Sequence, residues 1–395
     1  MLAATLVLGW PGAASGQAAG DHPKWMYDAA QTGVNPAETV LGTGNVSRLR
    51  RAWSRDLLVG GGSPVVAGGR VYLGVTGGNG NGWVYALDAA TGATRWTADT
   101  GTPYPPKHLA LAGGRLVVPT IGDPDGVLLA LDQATGRRLW ATKLTPGTRS
   151  DWWHPPNVAG GRIYLGGTTP KIYSVDAATG RIVWRSTAGT IGPPAVVGNR
   201  VYAADEGGAL FAKDVTNGVN RWIGNGRAGS RTSPPSVGGG RVFTVNDEGH
   251  VNAFAAAGCG ALRCGTLWRV QVPGDRMWRS TPAVGKTTIF IGGHNRLDAL
   301  DAATGKRRWA GLVDEPNVGL TAPTIAHGVI YVASSGDRLH AFPSAGCGIA
   351  TCRPLWTAEF NPDPFVDQVH YPPAVSGGAV YAIGTVSLVA RFSLP

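Results

Sequence analysis

The chain has 395 residues, with 60 glycines, 28 prolines and a formal net charge of +10. Periodic aromatic and glycine motifs exclude a disordered chain and fit a turn-dense all-β protein. Basic charge favours anionic partners, but Lys and Arg are scattered through the turns without a basic run or nucleic-acid motif, so nucleic acid is not an expected partner.

Residues 1–20 are apolar and rich in small residues, and read as a signal peptide with a truncated n-region. No Cys stands near the cleavage zone, so a lipid anchor is not expected, and no other stretch is long and apolar enough to span a membrane. The expected product is a secreted, extracellular monomer. Residues 21–47 form a lead-in with Trp25, Tyr27, Asp28 and Asn35-Pro36, expected to pack against the repeats of residues 48–395.

Residues 48–395 are organised around one phrase, Ala-Leu-Asp-Ala-Ala-Thr-Gly-Ala-Thr-Arg-Trp at Ala86 to Trp96. It returns at Ala130 to Trp140 and Ala299 to Trp309, is altered at Ser174 to Trp184 and Ala212 to Trp222, and is longer at Ala253 to Trp268 and Ala341 to Trp356. Before each phrase come a Pro, a short apolar run, a Gly-rich turn and a second β-rich run. Four short strands per repeat predict a β-propeller. The closing tryptophans are Trp53, Trp96, Trp140, Trp184, Trp222, Trp268, Trp309 and Trp356, so eight blades are expected. Three C-terminal strands joined by Leu49 to Trp53 complete the eighth and hide the open edges. Length alone suggests two or three domains, but the continuous repeat predicts a single one.

The phrase resembles that of the PQQ-binding-like propeller repeat family, which includes quinoprotein alcohol dehydrogenases and the propeller subunit of the Gram-negative outer-membrane assembly machine. The resemblance covers nearly all of the chain after residue 20, and the lead-in is similar to the segment before the first tryptophan of quinoprotein-type propellers. It implies the fold strongly and the function weakly, since function lives in sites grafted on folds.

In such a propeller the phrase turns share the bottom face, so Asp88, Asp132, Asp176, Asp214 and Asp301 are expected to be structural. The loops from one blade to the next lie on top. They carry Tyr104 to His108, Asp151-Trp152-Trp153-His154, Ser230 to Ser233 with Arg231, Arg276 to Ser280 with Trp278 and Arg279, Glu315-Pro316-Asn317, and Asp367-Gln368-Val369-His370-Tyr371. Aromatics with convergent polar groups suit a small-molecule or glycan site. The ligand-binding candidates are therefore Trp152, Trp153, His154, Arg231, Trp278, Arg279, Gln368, His370 and Tyr371, and the alternative is that these residues only cover strand ends.

The four cysteines form two copies of Ala-Gly-Cys-Gly-x-x-x-Cys inside the long phrases, where Ala255 and Pro343 replace the Asp. Local disulfides Cys259–Cys264 and Cys347–Cys352 are expected to restore the lost turn bonds. Each is worth roughly 2 kcal/mol by chain entropy, and paired cysteines beside a signal peptide fit an oxidising compartment. A shared zinc site is disfavoured because the copies lie in alternate blades.

No G-x-S-x-G, H-E-x-x-H or phosphate-cradling loop is present. Gly77 to Gly82 reads as a hairpin loop, and Asp123-Pro124-Asp125-Gly126 as a turn rather than a Ca²⁺ loop. The resemblance implies one enzymatic alternative, a PQQ- and Ca²⁺-dependent dehydrogenase of small alcohols or sugars. Its candidates are Trp278 or Trp153 as the cofactor wall, Arg231 or Arg279 on the cofactor carboxylates, Glu315 and Asn317 as Ca²⁺ ligands, and Asp367 or Asp151 as base. The family's adjacent Cys pair is missing, and no candidate matches the catalytic motif residue by residue. The expectation is a binding or scaffolding module for an extracellular glycan, cell-wall polymer, peptide or protein. A role in envelope assembly is a third option, and the missing anchor Cys counts against it.

Overall fold

The computed structural model describes residues 20–57, 62–77, 80–121, 126–145, 154–167, 171–187, 192–226, 231–273, 280–315, 317–360, 371–384 and 388–395. They form eight blades of four antiparallel strands each, arranged as an eight-bladed β-propeller, and three of the blades carry an added parallel strand. Blade 1 runs outward through Val65–Ala67, Arg70–Thr76, Gly82–Asp88 and Thr94–Asp99. The innermost strands of blades 2 to 8 are Ala110–Ala112, Asn157–Ala159, Ala195–Val197, Ser236–Gly238, Ala283–Val284, Thr324–Ala326 and Ala374–Ser376. Blade 8 closes as expected: Arg50–Asp56 pairs antiparallel with Leu388–Ser393, so the chain's two ends share one sheet.

Each phrase works as a staple between neighbouring blades. Asp88 Oδ1 accepts from the Ala90 and Thr91 amides and the Thr91 hydroxyl at 3.0, 2.8 and 2.9 Å. Asp132, Asp176 and Asp301 repeat this Asx-type arrangement. The Gly after the Thr takes positive φ, as at Gly92 (φ 74°) and Gly180 (φ 75°), a conformation that costs glycine little. The closing tryptophan of the preceding blade lies against that glycine. Trp53 packs on Gly92, Trp140 on Gly180 and Trp268 on Gly305, where an added Cβ would sit 2.6 to 3.0 Å from the indole. The Trp140 indole N–H also donates to Ala177 O at 3.3 Å, and Trp53 and Trp268 make the same bond to Ala89 O and Ala302 O. Asp, Thr, Gly and Trp thus recur together because they make one junction.

The disulfides form as expected, Cys259 with Cys264 and Cys347 with Cys352. They also do something the spacing did not announce. Each closes a tongue whose last residues, Arg263–Cys264 and Thr351–Cys352, pair in parallel with the outer strand of the preceding blade. Ile223 N–H donates to Leu262 O at 2.7 Å and Ala310 N–H to Ala350 O at 2.9 Å. Blades 4 and 6 thereby gain a fifth strand that covers an exposed edge.

The lead-in does more than pack against the ring: it threads the middle of it. No strand of a blade covers the axial side of the innermost strands, so their inward amides need acceptors, and at blade 7 the lead-in itself adds a short strand, Val34–Asn35, parallel to Thr324–Ala326. The segment from His22 to Gly33 supplies carbonyls almost blade by blade. Val66 N–H donates to His22 O, Leu111 to Pro23 O, Val196 to Ala29 O, Val237 to Ala30 O, Val284 to Thr32 O and Ile325 to Gly33 O, all between 2.6 and 2.9 Å. Blade 3 joins through Asn157 Nδ2, which donates to Ala29 O at 2.8 Å, and blade 8 accepts from Asn35 Nδ2 at Val375 O, 2.7 Å. Glu38, buried, then accepts from Gly378 N–H at 2.9 Å as the segment leaves. The channel is filled by a plug that bonds in turn to every blade.

The staple makes a direct prediction. Gly180→Ala meets both positive φ and the Trp140 ring, and is expected to lower stability by about 2–4 kcal/mol. Gly69→Ala meets positive φ (71°) but open space, and is expected to cost about 1 kcal/mol. Urea unfolding midpoints of the two variants check the contrast.

Candidate functional site

The blade-to-blade connections reach the axis just before each innermost strand, often through Pro pairs such as Pro155-Pro156, Pro193-Pro194, Pro234-Pro235 and Pro372-Pro373. Proline donates no amide and fixes φ, so these entries converge as a stiff rim. Above the plug they enclose a bowl of about 250 Å³. Its floor includes Trp25 of the plug, and its aromatic wall includes His108, His154 and Tyr371. Ser280, Thr281 and Thr321 add hydroxyls on the other side. Contributions come from blades 2 to 8, so no single blade builds the site.

His108 and Tyr371 meet edge to face, with ring centroids 5.5 Å apart and planes at 73°. Burial, reinforced by the nearby His154 and Lys107, holds His108 down to about 3. Burial also raises the Tyr371 phenol above its ordinary value. Both rings are therefore neutral at neutral pH. Two buried polar atoms of the bowl have no hydrogen-bond partner among the described residues, His108 Nδ1 and Thr281 Oγ1. An unsatisfied buried polar atom costs free energy, which a ligand donor or acceptor would recover. Within the plug, burial and Lys24 push His22 down to about 3, and burial pushes Lys24 down to about 7. Lys24 Nζ donates to Asp28 O within the plug.

Among the sequence candidates, His154 and Tyr371 are brought together in the bowl. Arg231 lies outside its lining and is exposed, its carbonyl accepting from Asp247 N–H at 3.0 Å. Glu315 and Asn317 do not line the bowl either. The Glu315 carboxylate is buried in blade 7, accepting from Ser334 Oγ at 2.9 Å and meeting His340 Nε2 at 2.6 Å. Burial pushes its acidity toward weaker values, but the bonds from His340 and Ser334 outweigh that and hold it below its ordinary value. His340 Nδ1 in turn lies 3.1 Å from Thr357 Oγ1, and Asn317 is exposed in the left-handed region (φ 56°). Asp151, Trp152, Trp153, Trp278, Arg279, Asp367, Gln368 and His370 lie outside the described residues, as does the Asp123-Pro124-Asp125 turn. Sequence reasoning does not single out Trp25 or Thr281 as site residues and places His108 only at the end of a connection. The Pro-marked entry to each innermost strand is the signal that locates the rim.

Known proteins share this architecture. The family model described as outer membrane protein assembly factor BamB matches residues 43–151, 124–258 and 264–384. The chain is 25% identical over 240 residues to the outer membrane protein assembly factor BamB of Moranella endobia, covering 55% of this chain and 59% of that protein. It is 30% identical over 188 residues to the quinohemoprotein alcohol dehydrogenase of Comamonas testosteroni, covering 42% of this chain and 25% of that one. The chain thus spans less than two thirds of the length of these relatives. The crystal structure of the Comamonas testosteroni quinohemoprotein alcohol dehydrogenase superposes with TM-score 0.72 at 16% identity, over 96% of this chain and 81% of that one. BamB from Moraxella catarrhalis superposes with TM-score 0.63 at 17% identity, over 87% and 97%. At such identities the structural likeness establishes the fold alone.

The depressed His108 makes a pH prediction. Its folded value near 3 lies below the ordinary 6.5, so the unfolded chain binds the extra proton between those values. The stabilising contribution is full above pH 6.5 and is lost as pH falls toward 3. His108→Asn is expected to reduce the loss of stability between pH 7.5 and 4.5 by on the order of 2 kcal/mol, read from urea midpoints at the two pH values.

Proposed function

The chain belongs to the family described as outer membrane protein assembly factor BamB, and on that premise we propose that it is a secreted binding module whose top-face bowl takes the end of a glycan. The observation that carries this reading is the pair of unpartnered buried atoms, His108 Nδ1 and Thr281 Oγ1, inside an aromatic-walled bowl. Aromatic rings offer apolar faces to a sugar ring, while a few fixed donors and acceptors orient its hydroxyls. The stiff Pro entries and the plug hold these groups in place without a ligand, which lowers the ordering cost of binding.

The quinoprotein relative favours a second reading, a PQQ- and Ca²⁺-dependent dehydrogenase. Calcium needs several hard oxygen ligands at one point. Glu315, the described carboxylate candidate, spends both oxygens on Ser334 and His340, and Asn317 is exposed. The described residues therefore do not fit that pair, and no group of three His, Cys, Asp or Glu positioned for a metal occurs among them.

A glycan array followed by calorimetry tests the proposal. Binding of one glycan class is expected to fall at least tenfold in Tyr371→Ala and to be indifferent to PQQ. Tight, Ca²⁺-dependent PQQ binding, or glycan binding unaffected by Tyr371→Ala, would overturn it.

A further inference from the structure

The repeat provides its own internal control. The third-strand residue before the phrase Asp, or before its replacement, faces the preceding blade. It is Leu87, Leu131, Val175, Phe254, Leu300, Phe342 or Phe392 in seven blades, and Lys213 in blade 4. Lys213 is 1% exposed. Its ammonium donates to Asn220 Oδ1 at 2.6 Å and Ser186 Oγ at 2.9 Å, with Thr187 O at 3.5 Å and the Phe211 ring at 5.5 Å. All of these are neutral. Opposite it stands Ser186, two after Trp184, whose hydroxyl reaches Gly218 O at 2.9 Å as that of Thr142 reaches Gly180 O one blade earlier; where the facing residue is a phenylalanine, as in blades 5 and 7, a glycine takes that place.

A buried cation is expensive without a countercharge. This one borders a groove of about 450 Å³ on the flank between blades 3 and 4. Lys171 and Arg185 stand on the same groove, and its lining contains no carboxylate. Arg185 is exposed, and neither it nor Lys171 forms an ion pair among the described residues. By contrast, Arg95, Arg221 and Arg308 each fold back onto the Asp of their own turn at 2.6 Å. Burial, with no carboxylate acting on it, pushes Lys213 down to about 8. The groove thus gathers three positive groups that the fold leaves uncompensated. Ser186, Thr187, Asn217 and Asn220 surround them with neutral donors and acceptors, and the one apolar side chain of size is the exposed Val219.

We propose that this groove is a binding site for an acidic saccharide, with its carboxylate held by Lys171 and Arg185 over the buried charge of Lys213, whose own donors are spent on Asn220, Ser186 and Thr187, and its hydroxyls met by the flanking Ser, Thr and Asn side chains. Charge-assisted bonds to an oxyanion are the strong ones available here, and a hydroxyl-rich lining with little apolar surface suits a sugar better than an apolar acid. The chain's net charge of +10 draws such a polymer toward the surface. The site is separate from the top-face bowl and does not depend on it.

Calorimetric titration of the full chain with a uronic-acid tetrasaccharide, its neutral counterpart and inorganic phosphate tests the proposal. The acidic tetrasaccharide is expected to bind with an affinity that falls as salt rises, at least tenfold tighter than either control. Lys213→Met and the surface variant Arg185→Ala are each expected to weaken it at least tenfold, while Tyr371→Ala leaves it unchanged. Because apolar side chains fill this position in seven blades, Lys213→Met is expected to melt no lower than the parent. Absence of acidic-saccharide binding, equal binding of phosphate, or retained affinity in both groove variants would overturn the assignment.

Discussion

The structure depends on how eight open strand edges are satisfied around one axis. Innermost strands of two or three residues present their free side to the channel, where an unpaired amide costs free energy. A chain of ordinary sequence, His22 to Glu38, answers nearly every one, mostly with backbone carbonyls, one of which also takes the Asn157 side chain of blade 3, and at blade 8 with the side chains of Asn35 and Glu38. Because the acceptors are mainly backbone, the plug needs few particular side chains. The consequence for function is positional: with the channel filled, the top face offers a bowl with a floor rather than a pore, and Trp25 belongs to that floor.

The other organising contact lies at the outer strands. Tryptophan on one blade and the Thr-Gly turn on the next form a junction repeated round the ring, and the same contact explains why both residues recur. Such regularity makes departures informative. In blades 5 and 7 the Asp-Thr turn gives way to a disulfide tongue that covers the neighbouring edge. In blade 4 a lysine enters a position that is apolar elsewhere. In blade 7 Glu315, His340 and Ser334 form a buried polar chain. A repeat protein repeats its own scaffold within one chain, so these positions stand out without any second sequence.

Fold and site were unequally legible in the sequence. The phrase, its count and the split blade could be read from spacing, because each serves a junction that demands fixed residue types. The path of the lead-in could not, since backbone carbonyls leave no side-chain pattern. His154 and Tyr371 were within reach because they sit next to the Pro entries of their blades. Glu315 looked like a free carboxylate on a loop, and only the fold brings His340, 25 residues later, onto it. Thr281 is unremarkable in sequence; its meaning comes from being buried at the bowl without a partner. Lys213 was visible in the altered phrase from Ala212 to Trp222, but which face it occupies required the register of its strand.

The filled axis is the claim on which both the fold and the placement of the site rest, and amide hydrogen exchange tests it most directly. The account predicts strong protection at Val66, Leu111, Val196, Val237, Val284 and Ile325, comparable with the central strands of the blades, because each donates to the plug. Exchange at these six amides as fast as in the exposed turns would show that the plug does not occupy the channel in solution, and would contradict the account.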